Sequence, residues 1–186
     1  MPFLLRWYGQ IGFDAAEKIK RDAGDFGTAF HDAAYQTIKN PSYKTRKKAL
    51  KPLVENFMTW YSASGFKPLV LEPEEPYVSA KYGYQGTFDA IGTIDGKLVI
   101  ADWKTSKRMD RTFGLQLAAY AQLYAEANGL DISAFDHGLV VRVDKENHKV
   151  YTERYDDMAS HFEVFKACLD VYNFLNKRGK WEIEKP

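Results

Sequence analysis

The sequence has a single cysteine, Cys168, among its 186 residues. One cysteine forms no disulfide within the chain, and it cannot supply a four-cysteine zinc site or iron–sulfur cluster. We therefore expect no iron–sulfur cofactor. Cys168 stands in the apolar pattern FKACLDVYNFL, which predicts a buried side chain that packs as a small hydrophobic residue.

Long apolar runs are also missing, because no stretch approaches the roughly 20 residues that cross a bilayer. The opening segment MPFLLRWYGQ is too short and too polar to act as a secretory signal. We therefore expect an intracellular protein with no membrane partner, in the cytoplasm or, if viral, in the host cell. An apolar content of 45% and a charged content of 27% are typical of one compact globular domain.

Charge of one sign is scarce overall, since the formal net charge is only +1. The composition alone therefore does not indicate a nucleic-acid partner. The segment 39–51 is an exception, with six basic residues and no acidic one. Such a segment either binds phosphate groups or forms a solvated helix face. The candidate phosphate contacts are Lys44, Arg46 and Lys47.

Apolar residues recur at helical spacing in the first third of the chain. They predict helices over 11–22, 25–39 and 42–62, with a break at Asn40-Pro41. This part of the sequence is therefore expected to be entirely helical.

The remaining sequence changes its period several times. Residues 68–104 are rich in β-branched and aromatic side chains between turn residues, which indicates strands. The later pattern predicts a helix over 112–127, two strands within 137–155 and a helix over 157–177. This order predicts an α/β domain with a central mixed β-sheet flanked by helices. Within one domain we distinguish a helical part over 1–65, a sheet core over 66–155 and a C-terminal helix over 156–186.

Asp95-Gly96 is the strongest hairpin signal in the chain, because extended runs flank it on both sides. In a two-residue turn Ile94 pairs with Lys97, and the same register places Asp89 opposite Asp102. Side chains alternate along a strand, so Asp102 and Lys104 share the face that carries Asp89.

Two carboxylates that face each other across a hairpin repel, and burial raises that energy unless positive charge is near. Lys104 supplies one such charge, and a divalent cation held by Asp89 and Asp102 would supply another. A metal beside an ammonium group suits attack of water on a phosphodiester. The alternative is a structural ion pair between Asp102 and Lys104 at the strand end.

Four short motifs surround these residues in a fixed order. They are Gly27-Thr28-Ala29-Phe30-His31, Gly86-Thr87-Phe88-Asp89, Asp102-Trp103-Lys104-Thr105 and Gln116-Leu117-Ala118-Ala119-Tyr120. Together they resemble the PD-(D/E)XK nuclease superfamily, in particular its RecB-like exonuclease branch. Their spacing is similar to that in the mitochondrial genome maintenance exonucleases and their viral relatives.

The resemblance implies a restriction-endonuclease-like core that uses Mg²⁺ or Mn²⁺ to cleave DNA. It implies that the metal ligands are His31, Asp89, Asp102 and the carbonyl of Trp103. It implies catalytic roles for Asp89, Asp102, Lys104, Gln116 and Tyr120, with the last two beside the active site.

Other residues are assigned by their position near these motifs. The expected nucleic-acid contacts after the catalytic strand are Thr105, Ser106, Lys107, Arg108 and Arg111. The family often has a further glutamate on the strand before G-x-x-D, for which Glu72, Glu74 and Glu75 are candidates. We favour Glu74, although Pro73 and Pro76 obscure the register.

The sequence therefore predicts a metal-dependent DNA exonuclease. We expect it to act on DNA ends or single-stranded DNA in replication, recombination or repair. One alternative is a structure-specific endonuclease of the same fold. Another is a non-catalytic nucleic-acid-binding accessory module, which the intact Asp89, Asp102 and Lys104 disfavour.

Overall fold

The computed structural model describes residues 13–176 of the chain. Its α-helices are α1 (Phe13–Lys39), α2 (Lys51–Ala63), α3 (Thr112–Ala127) and α4 (Met158–Asn176), and a short 3-10 helix spans Ile132–Ala134. Its strands are β1 (Lys67–Leu71), β2 (Tyr77–Ser79), β3 (Tyr84–Gly86), β4 (Ala90–Ile94), β5 (Lys97–Lys104), β6 (Phe135–Val143) and β7 (Val150–Tyr155). Within the described part of the chain, no helix is long and apolar enough to cross a membrane.

The helix α1 is continuous from Phe13 to Lys39, whereas the sequence pattern predicted two helices over 11–22 and 25–39. Residues 11 and 12 lie outside the described residues. Gly24 lies in the gap between the two predicted helices. A glycine inside a helix costs only about 1 kcal/mol relative to alanine, however, so it does not have to end the helix. Burial of Phe30 and its neighbours in the core readily offsets that amount.

The helix α2 begins at Lys51, so the prediction of a helix from residue 42 was wrong. Residues 41–50 form turns instead, in which the Tyr43 amide donates to Asn40 and the Leu50 amide to Lys47. Pro52 explains the difference. Proline suits the first turn of a helix, but in the middle of a helix over 42–62 it would remove a hydrogen bond and clash.

Within residues 13–176, the main sheet has five strands in the order β1-β4-β5-β6-β7. The β5–β6 pair is parallel, and the other pairs in this sheet are antiparallel. The crossover from β5 to β6 runs through α3, while β2 and β3 form a separate small ladder. This arrangement confirms the predicted central mixed sheet flanked by helices.

The strand β5 lies at the centre of the sheet and is buried on both faces. Val99 and Trp103 pack into a core with α1 and α2, whereas Ile100 packs into a second core with α3 and α4. Continued alternation directs Asp102 and Lys104 to the α3 side. The end of β5 therefore holds two charged residues between two apolar cores.

The helix α4 is buried only near its beginning, through Met158 and Phe162. Cys168 is exposed, so the prediction that it is buried was wrong. The apolar pattern misled because the second half of α4 extends beyond its contacts with the domain, leaving Phe174 and Leu175 exposed as well.

Candidate active site

The hairpin that carries the site has the register predicted from the sequence. Asp95 and Gly96 have φ angles of 51° and 77°, as a type I′ turn requires. Pairing runs without interruption from Ile94–Lys97 to Ala90–Ala101. Asp89 and Asp102 are the next residues on each side, directly beyond the last pair of the β4–β5 ladder.

Asp89 connects three separate parts of the chain. Its Oδ1 accepts a hydrogen bond from His31 Nδ1 at 2.8 Å, and its Oδ2 accepts one from the Trp103 amide at 2.6 Å. The first bond orients the imidazole ring through Nδ1. The other ring nitrogen, Nε2, makes no bond to Asp89. Asp89 thereby ties α1 to the end of β5.

Glu72 completes a group of three side chains around Asp89. Donor atoms of His31, Glu72 and Asp89 all lie within 4.8 Å of one another. The Glu72 amide donates to the Asp89 carbonyl at 2.8 Å, which holds the two residues side by side. Glu72 adopts a φ of 35°, a conformation that non-glycine residues rarely take.

The structure brings Glu72 into this group, whereas the sequence pattern favoured Glu74. Glu74 and Glu75 are both exposed, and neither belongs to the group. The sequence did not reveal Glu72 for three reasons. Two prolines flank this segment, β1 shifts register between Pro68 and Val70, and Glu72 itself has a left-handed backbone conformation.

These three residues fit a divalent cation. One imidazole nitrogen and two carboxylates form a donor set that Mg²⁺ or Mn²⁺ accepts. Among residues 13–176, Glu72 Oε1 is buried without a hydrogen-bond partner. A carboxylate oxygen in that state is stabilised by positive charge. The group faces a cavity of about 530 Å³ that is also lined by Gly27 and Thr28.

Burial and like charge shift the ionisation of the group. Burial, together with the negative charge of Asp89, raises the pKa of Glu72 to about 7. Burial alone would lower the pKa of His31. The hydrogen bond to Asp89 and the charges of Asp89 and Asp102 outweigh it, so the pKa of His31 is raised. The site thus has excess negative charge that a cation would balance.

Asp102 forms a second group with Lys104, Gln116 and Tyr120. Lys104 Nζ lies 2.7 Å from Asp102 Oδ2 and donates to Gln116 Oε1 at 3.0 Å. Gln116 Nε2 in turn donates to the Tyr120 hydroxyl at 3.1 Å. The ammonium group also lies 5.3 Å from the centre of the Phe113 ring. These contacts hold Lys104 in one orientation.

The Asp102 carboxylate is only 5% exposed, and burial and the charge of Asp89 raise its pKa to about 7. Lys104 opposes that shift. Its ammonium group lies 2.7 Å from Asp102 Oδ2 and compensates part of the cost of burying that carboxylate. Asp102 lies outside the three-residue donor group, and its role as a metal ligand stays a prediction.

Gly86 explains how two of the sequence motifs fit together. A Cβ atom at Gly86 would lie 2.5 Å from Cε1 of Tyr120, a distance that real side chains do not tolerate. The glycine of G-x-x-D therefore makes room for the tyrosine of Q-x-x-x-Y. Tyr120 in turn reaches Gln116 and, through it, Lys104.

The residues after β5 lie at one edge of the site. Thr105 is buried, and a Cβ on Gly27 would lie 3.7 Å from its hydroxyl oxygen, so α1 passes close by. Ser106 donates its hydroxyl to the Arg108 carbonyl. The side chains of Lys107, Arg108 and Arg111 are exposed. Contacts between these residues and a substrate stay predictions.

The Trp103 side chain lies in the core. It is 1% exposed and packs against Phe57, with 5.0 Å between the ring centres. Its amide contacts Asp89, as described above, whereas the role of its carbonyl as a metal ligand stays a prediction. The indole thus anchors the strand end that carries Asp102 and Lys104.

Arg142 is a residue of the site region that the sequence analysis missed. It pairs with Lys104 in the parallel β5–β6 ladder and is only 7% exposed. Its Nη1 contacts the carbonyls of Ser106 and Lys107 at 3.2 and 3.3 Å and Asp144 Oδ2 at 2.9 Å. The signal was available, because a charge inside the run LVVRV needs partners when it is buried.

We expect Arg142→Met to release the segment that follows β5. Loss of the guanidinium leaves two carbonyls and Asp144 without this donor, which should destabilise the region by about 1–3 kcal/mol. Limited trypsin digestion followed by mass spectrometry should then show faster cleavage after Lys107 and Arg108. The control is Arg154→Met, an exposed arginine on β7. Equal rates of cleavage after Lys107 and Arg108 in the two variants would contradict this role.

Comparison with known proteins identifies a family. Residues 43–180 match the family model described as the PD-(D/E)XK nuclease superfamily, which is more than half of the chain. Among solved structures, one described as "Crystal structure of SSO0001" is similar to this chain with 16% identity and a TM-score of 0.42. That alignment covers 97% of this chain and 75% of the other. No curated protein matches the chain.

Proposed function

This chain belongs to the PD-(D/E)XK nuclease superfamily, and we propose on that basis that it is a Mg²⁺- or Mn²⁺-dependent deoxyribonuclease. The observation that supports this best is the contact of Asp89 Oδ2 with the Trp103 amide. That bond joins the donor group of His31, Glu72 and Asp89 to the strand that carries Asp102 and Lys104. The proposed metal ligands and the ammonium group of Lys104 would therefore act on the same phosphate.

The cation would be held by His31, Glu72 and Asp89, with Asp102 and the Trp103 carbonyl as the further proposed ligands. When bound, a divalent cation supplies polarisation of a phosphoryl oxygen and lowers the pKa of water. Both oxygens of Asp89 already accept one hydrogen bond each. A carboxylate has further lone pairs, so these bonds orient it without preventing ligation.

Lys104 is proposed to act on the reacting groups directly. Its ammonium group is held between Asp102 Oδ2 and Gln116 Oε1, which leaves its remaining donor capacity to point at a water or a phosphate oxygen. In hydrolysis the water oxygen forms a bond to phosphorus and the bond to the leaving oxygen breaks. A fixed positive charge stabilises the negative charge that develops on the phosphoryl oxygens.

Gln116 and Tyr120 are proposed to position Lys104 and to contact the water or substrate. Gln116 uses its carbonyl oxygen for Lys104 and its amide nitrogen for Tyr120. This fixed relay keeps the ammonium group from folding back onto Asp102 alone. Electrostatic catalysis depends on such preorganised donors, because they do not have to reorient during the reaction.

We further propose that the enzyme is an exonuclease of the RecB-like branch, acting on DNA ends or single strands in replication, recombination or repair. The ordered motifs that contain His31, Asp89, Lys104 and Tyr120 support this branch, as does the similarity of their spacing to mitochondrial and viral exonucleases. A structure-specific endonuclease would use the same side chains.

End-labelled linear DNA and circular single-stranded DNA separate these possibilities. The purified protein should degrade linear DNA in Mn²⁺ or Mg²⁺ and not in EDTA, while circular single strands stay intact. Cleavage of the circles would show an endonuclease and overturn the exonuclease assignment. If the protein binds DNA but hydrolyses it in neither Mn²⁺ nor Mg²⁺, the proposed function is overturned and an accessory module is favoured.

A further inference from the structure

Three adjoining cavities lead away from the metal-binding group along α1. The first, of about 530 Å³, is lined by His31 and Asp32. Asp32 also lines a second cavity of about 320 Å³, together with Lys44. Lys44 and Tyr43 also line a third cavity of about 730 Å³, on the side of α2. We call these three cavities the α1 cleft.

The wall opposite α1 is strongly basic in the middle of the α1 cleft. The second cavity is lined by Lys44, Arg46 and Lys47, against one acidic residue, Asp32. All three basic side chains are exposed. Lys44 also lines the third cavity, together with Lys51 and Glu55, which both belong to α2. The excess of positive charge suits a chain of phosphate groups rather than a neutral or cationic ligand.

The length of the α1 cleft can be measured along its helix. Thr28 lines the first cavity, Ala33 the second and Thr37 the third. The nine residues of helical rise from Thr28 to Thr37 correspond to about 13 Å, whereas one nucleotide of a stacked strand rises about 3.4 Å along its axis. An unpaired strand is more extended than a stacked one, but the cleft still has room for more than one linked nucleotide.

Tyr43 supplies the feature that distinguishes an unpaired strand. Tyr43 lines both the second and the third cavity, and it is partly buried against the core formed with α1 and α2. A fixed aromatic ring beside a basic groove is how proteins bind single strands, because an unpaired base can stack on the ring. Bases inside a duplex are already stacked and do not offer that face.

We propose that the α1 cleft binds a single-stranded stretch of nucleic acid that continues from the metal-binding group toward α2. Lys44, Arg46 and Lys47 contact its phosphates, and Tyr43 stacks on one of its bases. This proposal rests on the proposed function, since it takes the nucleotide to be cleaved as lying at His31, Glu72 and Asp89. It restricts the substrate at this place to an unpaired strand and adds the path of that strand relative to the fold.

The test is binding without hydrolysis. Fluorescence anisotropy in EDTA measures the affinity of the full chain for a labelled oligo(dT) of twelve nucleotides. The triple variant Lys44→Ala, Arg46→Ala and Lys47→Ala should bind at least about tenfold more weakly. Its salt dependence should be shallower by about two in the log–log slope, because single strands contribute about 0.7 for each phosphate contact.

A matched control removes the same charge elsewhere. Lys18, Lys67 and Lys149 are exposed and line none of the cavities that form the α1 cleft, so their triple alanine variant should bind oligo(dT) like the wild type. Tyr43→Phe should keep the affinity and Tyr43→Leu should reduce it, because only the aromatic ring can stack. An unlabelled blunt duplex should compete less well than unlabelled oligo(dT).

Several results would overturn the proposal. They are equal losses in the two triple variants, equal affinity of Tyr43→Leu and Tyr43→Phe, or competition by the duplex as strong as by oligo(dT). The proposed function fails separately: a wild type that binds oligo(dT) through these residues but hydrolyses no DNA in Mn²⁺ supports the cleft and refutes the nuclease. If the wild type hydrolyses DNA but the triple variant of Lys44, Arg46 and Lys47 still binds oligo(dT) normally, the nuclease is supported and the cleft is refuted.

Discussion

Replacement of Lys104 by methionine is expected to lower the rate of DNA hydrolysis by about 10²–10⁴-fold. Methionine keeps the length of the aliphatic stem but removes the ammonium group that contacts Asp102 and Gln116. Substrate affinity in EDTA should change little, because the charge acts mainly on the reacting phosphate. Rates are measured with end-labelled linear DNA in Mn²⁺ at saturating substrate.

The control for Lys104 lies on the same strand. Lys97 is at the opposite end of β5, where it is exposed and pairs with Asp136, so Lys97→Met should hydrolyse DNA at the wild-type rate. Thermal unfolding verifies that both variants fold. Asp102 already has a raised pKa, so it can take up a proton when Lys104 is lost instead of remaining a buried charge. Wild-type activity in a folded Lys104→Met would refute the catalytic role.

The second large effect is a loss of stability of the metal-free protein as the pH rises. The pKa of Glu72 and that of Asp102 are both raised to about 7 in the folded protein. A carboxyl with a raised folded pKa holds its proton more tightly in the folded state, so stability falls between its unfolded and folded pKa values. The raised pKa of His31 acts in the same direction, because stability is lost as pH rises through its folded value.

In EDTA the protein should therefore unfold at a lower temperature at pH 8 than at pH 5.5. After allowance for partial exposure, the difference is on the order of 2 kcal/mol, or roughly 4–8 °C in Tm. Asp136 and Asp144 have pKa values lowered to about 2, so the stability that they contribute is lost only when the pH falls toward those values. Mn²⁺ at pH 8 should restore the lost stability, since it balances the ionised carboxylates.

Two glutamine variants test whether Glu72 causes this behaviour. Glu72→Gln removes one ionisable carboxyl, so it should reduce the pH dependence in EDTA and also the stabilisation by Mn²⁺. Glu74→Gln changes an exposed neighbour and should leave both unchanged. A Glu74→Gln variant that loses the Mn²⁺ response while Glu72→Gln keeps it would show that the donor group is assigned to the wrong glutamate.

The part of the site that could be predicted from the sequence is the part that local rules determine. Asp95-Gly96 specifies a turn, the turn specifies a register, and the register places Asp89 next to the end of β5 beside Asp102. The helix over 112–127 was also predicted correctly, and its four-residue spacing puts Gln116 and Tyr120 in contact.

The residues that were not predicted depend on tertiary contacts. Glu72 reaches the site through an unusual backbone angle and a hydrogen bond to Asp89, neither of which the flanking prolines reveal. Arg142 acts on a segment 36 residues away in sequence. Pro52 was visible, however, and its position alone argues against a helix that runs from 42 to 62.

The contact between His31 and Asp89 has a consequence for how the proposed site assembles during folding. The two residues are 58 positions apart, so the chain must close a large loop before they meet. The β4–β5 hairpin, by contrast, forms from neighbouring residues and is expected to appear early. A chain that has formed the hairpin but has not docked α1 would carry Asp89, Asp102 and Lys104 without the imidazole, so the proposed metal site is complete only once this non-local contact has formed.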